Sequence, residues 1–231
     1  LRQQINEGAA ACMLSHAESS DLDNLSANLN TTRLEITAAT DTSDAVMESD
    51  TALRLRAQSA FEGLSVAGPT GAYEYYAKSA SGNVKDAKAI SPSPAVVIVS
   101  VLSTEGDGTA SASLLTVVNT ALSAETIRPV GDRLTVQSAE IITYEIEATL
   151  YLYPGPESEP IITAAQNALS SWLSAQGKIG TDVARSAIMA ALHVQGVQRV
   201  EVASPSADIV ISDTQSALCS SYRIDLGGTN E

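Results

Sequence analysis

The segment from Ile142 to Leu152 reads ITYEIEATLYL and places an apolar residue at every even position. A period of two indicates a β-strand with one buried face and one face in water, which is typical of an antiparallel sheet. Glu145 and Glu147 then lie together on the exposed face. This strand predicts that the second half of the chain folds around a sheet.

Helices and shorter strands are predicted to follow this strand. A stripe from Ile161 to Leu173 predicts a helix that ends before Gly177, and a second helix carries apolar residues between 183 and 192. Short strands are expected at about 197–202, 208–211 and 221–226. We expect Trp172 and Leu169 to be buried against the sheet that carries Ile142, Ile146 and Leu150.

The first half also mixes helices with strands. The predicted elements are a helix at 49–63, a helix at 72–80, strands at 84–90 and 95–102, a helix at 114–122 and a strand at 134–137. The apolar face of the first helix would hold Leu53, Ala57, Ala60, Phe61 and Leu64. A Ser-Pro turn between strands occurs at 91–95 and again at 204–207, which suggests either a duplication or a recurrent turn signal.

The chain opens on a helical stripe of Leu1, Ile5, Ala9, Cys12, Met13 and His16. No capping residue precedes it, so we expect that a preceding segment is missing. A polar stretch at 37–44 predicts a linker after the helices. Because a helix of this length is marginal in water without a partner, we expect Leu1, Ile5, Ala9 and Met13 to form part of a seam with another subunit or with the missing N-terminal segment.

The predicted fold class is α+β. An N-terminal helical segment at 1–36 precedes two small α+β sandwich domains, at 45–139 and 140–231, with antiparallel or mixed sheets.

Charge excludes several functions. The 231 residues contain 27 acidic and 13 basic side chains, for a formal net charge of −14. Such a balance argues against nucleic acid and against a polybasic membrane surface as partners. The longest apolar stretch, 95–102, is interrupted by Ser100 and is far shorter than the roughly 20 residues of a bilayer span.

No catalytic, cofactor-binding or metal-ligating set emerges from the motifs. Cys12 and Cys219 lack the spacing of metal ligands, and His16 and His193 accompany apolar helical stripes. Glu145 and Glu147 are roughly 7 Å apart along one strand face. Paired carboxylates at such a separation leave open a small carbohydrate-binding or glycoside-hydrolysing module as the alternative to a structural role.

Long strings in the sequence are similar to one known family. They include EGLSVAGPTGAYEY at 62–75, SPSPA at 91–95, VLSTEGDGTAS at 101–111, ATLYLYPGPE at 148–157 and GGTNE at 227–231. In order and over essentially the whole chain, the sequence resembles the baseplate J-like family of contractile-tailed phages, most closely those of temperate myoviruses. Family members carry several tens of residues before the position of Leu1, so the resemblance implies an N-terminal truncation.

The resemblance implies a structural, non-enzymatic subunit of the baseplate wedge that needs no cofactor. Expected partners are other copies around the baseplate ring, a small lysozyme-like wedge protein and a tail-fibre connector protein. The expected location is the tail baseplate of the virion, assembled in the host bacterial cytoplasm. Rearrangement of the ring would trigger sheath contraction, which requires interfaces with two comparable packings.

Overall fold

The computed structural model describes residues 2–65, 67–155 and 158–229. The chain divides into two compact units, one up to Ser138 and the other from Ala139 onward. The first unit contains helices, a short hairpin and a mixed three-stranded sheet, and the second unit contains helices and a second mixed three-stranded sheet. The predicted α+β class with an N-terminal helical segment is therefore confirmed.

The first unit opens with helices and a short hairpin. Its elements are α1 Arg2–Ala11, α2 Ser19–Ala27, β1 Glu35–Thr37, β2 Val46–Met47 and α3 Asp50–Gln58. Strands β1 and β2 pair antiparallel, and Thr40 and Ser43 form a further bridge between them. The polar stretch predicted as a linker is therefore the tip of a hairpin, because its hydroxyl groups close a turn.

The helix predicted for 49–63 is shorter than expected. Ser49 caps α3 by accepting a hydrogen bond from the Ala52 amide, and α3 ends at Gln58. A 3-10 turn continues from Ala60 to Leu64. The tighter turn changes the direction of the side chains, so Phe61 is 66% exposed and Leu64 is 76% exposed. Both residues were expected on the buried face.

The remaining elements of the first unit are α4 Thr70–Ala80, β3 Val84–Ser93, β4 Val96–Ser103, α5 Ala112–Leu122 and β5 Arg133–Ser138. Strand β4 lies in the centre, antiparallel to β3 and parallel to β5. Val97, Val99 and Val101 of β4 belong to a buried cluster that includes Tyr73 of α4 and Leu122 of α5. The apolar run of β4 is thus explained by its central position under two helices.

The second unit consists of β6 Glu140–Leu152, α6 Glu159–Gln176, α7 Arg185–Leu192, β7 Val197–Ser204 and β8 Gln215–Thr229. Strand β6 is central, antiparallel to β7 and parallel to β8. Its burial alternates as the sequence predicted, with Ile146 and Leu150 buried and Glu145 and Glu147 exposed. The strand expected at 208–211 is only an isolated bridge between Val183 and Ile209.

Helix α6 places its apolar stripe on this sheet. Leu169 is fully buried, as expected, but Trp172 is only half-buried at the margin of the cluster. Ile142 is also half-buried, near the start of β6. Trp172 packs against the cluster that contains Ile146 and Leu150, so its expected position on this sheet is confirmed, although its burial is incomplete.

The strand pairings around the two Ser-Pro turns argue against an internal duplication of the chain. Strands β3 and β4 are neighbours joined by the first turn. Strands β7 and β8, on either side of the second turn, are separated by β6. Because the same turn signal joins strands with different pairings, recurrent turn chemistry explains it.

Candidate interaction surfaces

Helix α1 is exposed from Arg2 to Ala9, and only Ala10 and Ala11 at its C-terminal end are half-buried. None of its residues is buried, Ile5 is 62% exposed and Ala9 is exposed on the same side one turn later. Met13, 53% exposed, lies in the turn after the helix, since α1 ends at Ala11. Leu1, the fourth residue of the expected seam, lies outside the described residues. The structure thus leaves Ile5, Ala9 and Met13 in solvent.

The chain after α1 is fixed to α3 by an apolar cluster. Ala17, Leu22 and Leu53 are buried together, with Leu14 and Leu25 packed around them. Leu22 belongs to α2 and Leu53 to α3, so the two helices share this cluster. The segment that follows α1 is therefore anchored in the first unit, although α1 itself buries nothing.

Three arginines, Arg33, Arg54 and Arg56, strengthen this anchor; we call them the arginine cluster. The Arg54 guanidinium donates hydrogen bonds to the carbonyl oxygens of Leu14 at 2.8 Å and Ala17 at 2.6 Å. These carbonyls belong to the non-helical connection between α1 and α2. Arg54 therefore satisfies backbone acceptors that have no partner within a helix.

Arg56 forms the most buried ion pair described for the chain. Its Nη2 lies 2.7 Å from Glu48 Oε2, and the two side chains are only 6% and 8% exposed. Glu48 Oε2 also accepts a hydrogen bond from the Leu34 amide at 3.1 Å, and Arg56 donates to the Thr32 carbonyl. The pair thus links the residue after β2, α3 and the segment after α2 in one network.

Arg33 connects α2 to the start of α3. Its guanidinium contacts Asp23 and Asp50, each at 2.7 Å. The Ser19 amide donates a second hydrogen bond to Asp50 at 2.9 Å. This amide hydrogen bond, followed by the one from Arg33, lowers the pKa of Asp50.

The paired carboxylates Glu145 and Glu147 are exposed on the outer face of the second sheet. Glu147 is in register with Ser204 on one side and with Arg223 on the other. The same face carries Tyr151, whose ring lies 4.0 Å from the Arg199 guanidinium carbon. The carboxylates are therefore exposed on a surface that carries charges of both signs.

The histidines lie far from these carboxylates in the sequence and in separate elements. His16 is exposed in the turn after α1, with Nδ1 2.7 Å from Ser15 Oγ. His193 is exposed at the C-terminal end of α7. Among residues 2–65, 67–155 and 158–229, no group of three potential metal-ligating side chains converges. No helix in these ranges has the length and apolar character needed to cross a bilayer.

The sequence reasoning missed the arginine cluster and the full length of β8. The sequence pattern singles out neither Arg54 nor Arg56, because a charged residue in an amphipathic helix usually marks the outer face. One available signal was the spacing of Arg54 and Arg56, which places them on different sides of α3. Their acceptors are backbone carbonyls and Glu48, which no local pattern reveals.

Comparison with known proteins covers nearly the whole chain. The Baseplate J-like N-terminal domain matches residues 1–40, the Baseplate J-like central domain matches residues 65–138, and the Baseplate J-like protein C-terminal domain matches residues 144–221. Baseplate protein J of Escherichia phage P2 is 58% identical over 234 residues, covering 100% of this chain and 78% of that relative. The resemblance inferred from the sequence strings is confirmed. This chain belongs to the baseplate J-like family.

Proposed function

We propose that this chain is a structural subunit of the baseplate wedge of a contractile phage tail. Its similarity to a phage baseplate protein extends over the full chain, which supports a tail-baseplate location in the virion after assembly in the host bacterial cytoplasm. The observation that carries the proposal is that helix α1 contains no buried residue, whereas the segment after it is anchored in the first unit by an apolar cluster and by hydrogen bonds from Arg54. A helix of ten residues without buried side chains needs packing from outside to be stable.

The proposed seam consists of the exposed side of α1 and of Met13 in the turn that follows it. Ile5, Ala9 and Met13, together with Leu1 as predicted from the sequence, present small and medium apolar side chains to a partner. The occupants that fit the proposal are a second copy in the ring, the small lysozyme-like wedge protein or the tail-fibre connector protein. The arginine cluster would hold the connection to α1 in place while the partner binds.

The proposed role is mechanical and requires no enzyme activity, cofactor, nucleic acid or membrane. Ring rearrangement that releases the sheath would exchange one set of subunit contacts for another of similar free energy. The exposed positions of Glu145 and Glu147 support this role over the glycoside-hydrolysing alternative, since such catalysis depends on a positioned acid and nucleophile in a substrate cleft.

A phage that lacks its own copy of this gene provides the test. Complementation with an Ile5→Asp and Met13→Asp variant should yield a folded protein that fails to enter tails, because assembly would bury charges without partners. The matched control is Gln3→Asp with Gln4→Asp, which adds the same charge to exposed positions away from Ile5 on α1. The control should complement normally.

Tail incorporation is measured by purifying particles and probing for the subunit. The proposal fails if complete, infective tails form without this chain. The seam is wrong if the Ile5 and Met13 variant assembles as well as the control.

A further inference from the structure

Strand β8 is a long edge strand. It pairs with β6 along Gln215–Thr229, and within the described part of the second unit no other strand lies on its far side. Only its start is covered, where Ile179 bridges to Ser216 and the Gly180 amide donates to the Gln215 carbonyl. From Ala217 onward, the outer edge presents backbone groups that can pair with another strand.

The other sheet edges carry the features that discourage such pairing. Strand β3 contains Lys85, Lys88 and Pro92, and β7 is only eight residues long and ends just before Pro205. Strand β5 has six residues and begins with Arg133. Strand β8, in contrast, has fifteen residues with neither lysine nor proline. Long edges without these features are templates for pairing with a further chain.

The apolar side chains of β8 are incompletely covered. Ile224 packs at the margin of the core, in register with Ala148. Tyr222 and Leu226 lie on the same face, two residues away on either side, and remain 43% and 46% exposed. An added strand beside β8 would cover both side chains and extend the apolar face of the sheet.

The opposite face of this stretch carries one charge of each sign. Arg223 and Asp225 contact each other at 3.0 Å, with side chains 72% and 51% exposed. The pairing of β8 with β6 shifts register near Cys219–Ser221 and again near Leu226–Gly228. Residues 221–226 therefore pair with β6 in one continuous register between these two shifts.

We propose that this edge pairs antiparallel with the same strand of a second copy, about a two-fold axis at Ile224. In that register Tyr222 faces the partner's Leu226, and Arg223 faces the partner's Asp225. Each relation occurs twice because the contact is symmetric. Opposite charges and apolar residues directly across an antiparallel pair stabilise it.

Neighbouring registers are disfavoured by the same residues. An axis at Arg223 sets two arginines opposite each other, and an axis at Asp225 does the same with two aspartates. If the two-fold axis passed between two residues, each apolar side chain would lie opposite a charged side chain of the second copy. The sequence of the edge is therefore self-complementary in one register.

This pairing rests on the proposed function in one respect, namely that copies of the chain meet in an assembly. Charge reversal tests it on the purified chain. Arg223→Asp places two carboxylates opposite each other, and Asp225→Arg does the same with two guanidinium groups. Sedimentation velocity over a concentration series should show each single variant self-associating roughly tenfold more weakly than the parent chain.

Two combinations should restore the association. An equimolar mixture of the two single variants forms pairs in which every carboxylate faces a guanidinium, and the double variant carrying both changes regains the same complementarity. Arg199→Asp is the matched control, since it makes the same charge change at a half-exposed position on β7. It should leave association unchanged, and circular dichroism should show that all variants remain folded.

The proposal is overturned if the parent chain stays monomeric throughout the series, if neither combination restores association, or if Arg199→Asp weakens it equally. These outcomes are separate from the proposed function. A chain that enters tails without pairing through β8 refutes the pairing alone, whereas a chain that pairs but is absent from tails refutes the baseplate role.

Discussion

The two units of this chain use charged side chains in different places. In the first unit, the Arg56–Glu48 pair is almost fully buried and connects α3 to the residue that follows β2. In the second unit, the pairs Arg199–Glu201 and Arg223–Asp225 lie on strand faces with more than half of each side chain exposed. The Arg56–Glu48 ion pair thus stabilises the interior of the first unit, whereas these two ion pairs of the second unit lie on its surface.

The sheets show the same contrast. Each has a central strand with one antiparallel and one parallel neighbour. The first sheet has edges with lysine and proline or of short length, whereas the second sheet ends in the long strand β8. Similar strand arrangements can therefore present different edges to an assembly.

The largest effect should come from the buried pair. Arg56→Ala leaves Glu48 buried without its cationic partner and should lower the free energy of unfolding of the first unit by about 3–5 kcal/mol. Arg199→Ala, the control in an exposed pair of the second unit, should cost about 1 kcal/mol or less. Urea denaturation of both variants measures the difference. An equal loss of unfolding free energy in the two variants would contradict the proposed difference between the buried ion pair of the first unit and the exposed ion pair of the second.

Trp172 tests how far the second unit depends on apolar packing. Because its side chain is only half-buried, Trp172→Ala should cost about 2–3 kcal/mol, less than the loss at an enclosed aromatic residue. Leu169→Ala, at a fully buried position on the same helix, is the comparison variant. Calorimetry should show Leu169→Ala to be at least as destabilising, and the reverse order would contradict the burial described here.

Acid should weaken the first unit through Asp50. Its pKa is lowered in the folded chain by the Ser19 amide and by Arg33, so the ionised form stabilises the fold. This contribution is present above the usual aspartate pKa of about 4 and is lost as the pH falls through the lower folded value. Asp50→Asn should therefore lower the melting temperature at pH 7 and reduce its dependence on pH below 5.

Asp44→Asn, at an exposed position in the hairpin, is the matched control for this titration. Its melting temperature should follow the parent chain at every pH. A control that changed as much as Asp50→Asn would show that net charge, and not the contact with Ser19 and Arg33, sets the acid response.

The smallest effect should come from the exposed carboxylates of β6. Glu145→Gln with Glu147→Gln should change the free energy of unfolding by about 0.5 kcal/mol or less, since neither side chain is buried. Tails assembled with this variant should remain infective. If they assembled normally but had lost a measurable glycan-hydrolysing activity, the enzymatic alternative would replace the structural one.

Sequence reasoning succeeded where the pattern was local. The period of two located β6, and the valine-rich run located β4, because each pattern is set by the faces that one strand exposes. It failed where distant residues decide the outcome. The serine-rich start and glycine-rich end of β8 are poor strand formers, and they extend the strand because thirteen residues of β6 offer a parallel partner.

The candidate interaction surfaces also differ in how far the sequence predicts them. The stripe of Ile5, Ala9 and Met13 was read directly from spacing, and the structure places these residues in solvent. The arginine cluster could not be predicted, since Leu14 and Ala17 meet Arg54 only after α2 packs on α3. Local periodicity shows which side chains share one face of a helix, and tertiary packing decides which of them make contacts in the folded chain.

The parallel pairing of β6 and β8 also determines how the second unit bears load. The unit begins near the first residues of β6 at Ala139, and β8 ends at Thr229 beside Leu152, at the opposite end of β6. Tension applied between these two points runs along the strands. The hydrogen bonds between β6 and β8 are then loaded in shear, so that they must break together. A hairpin pulled from its open end would instead lose its bonds one after another. We therefore expect the second unit to resist tension between these two points more strongly than a hairpin of similar length would.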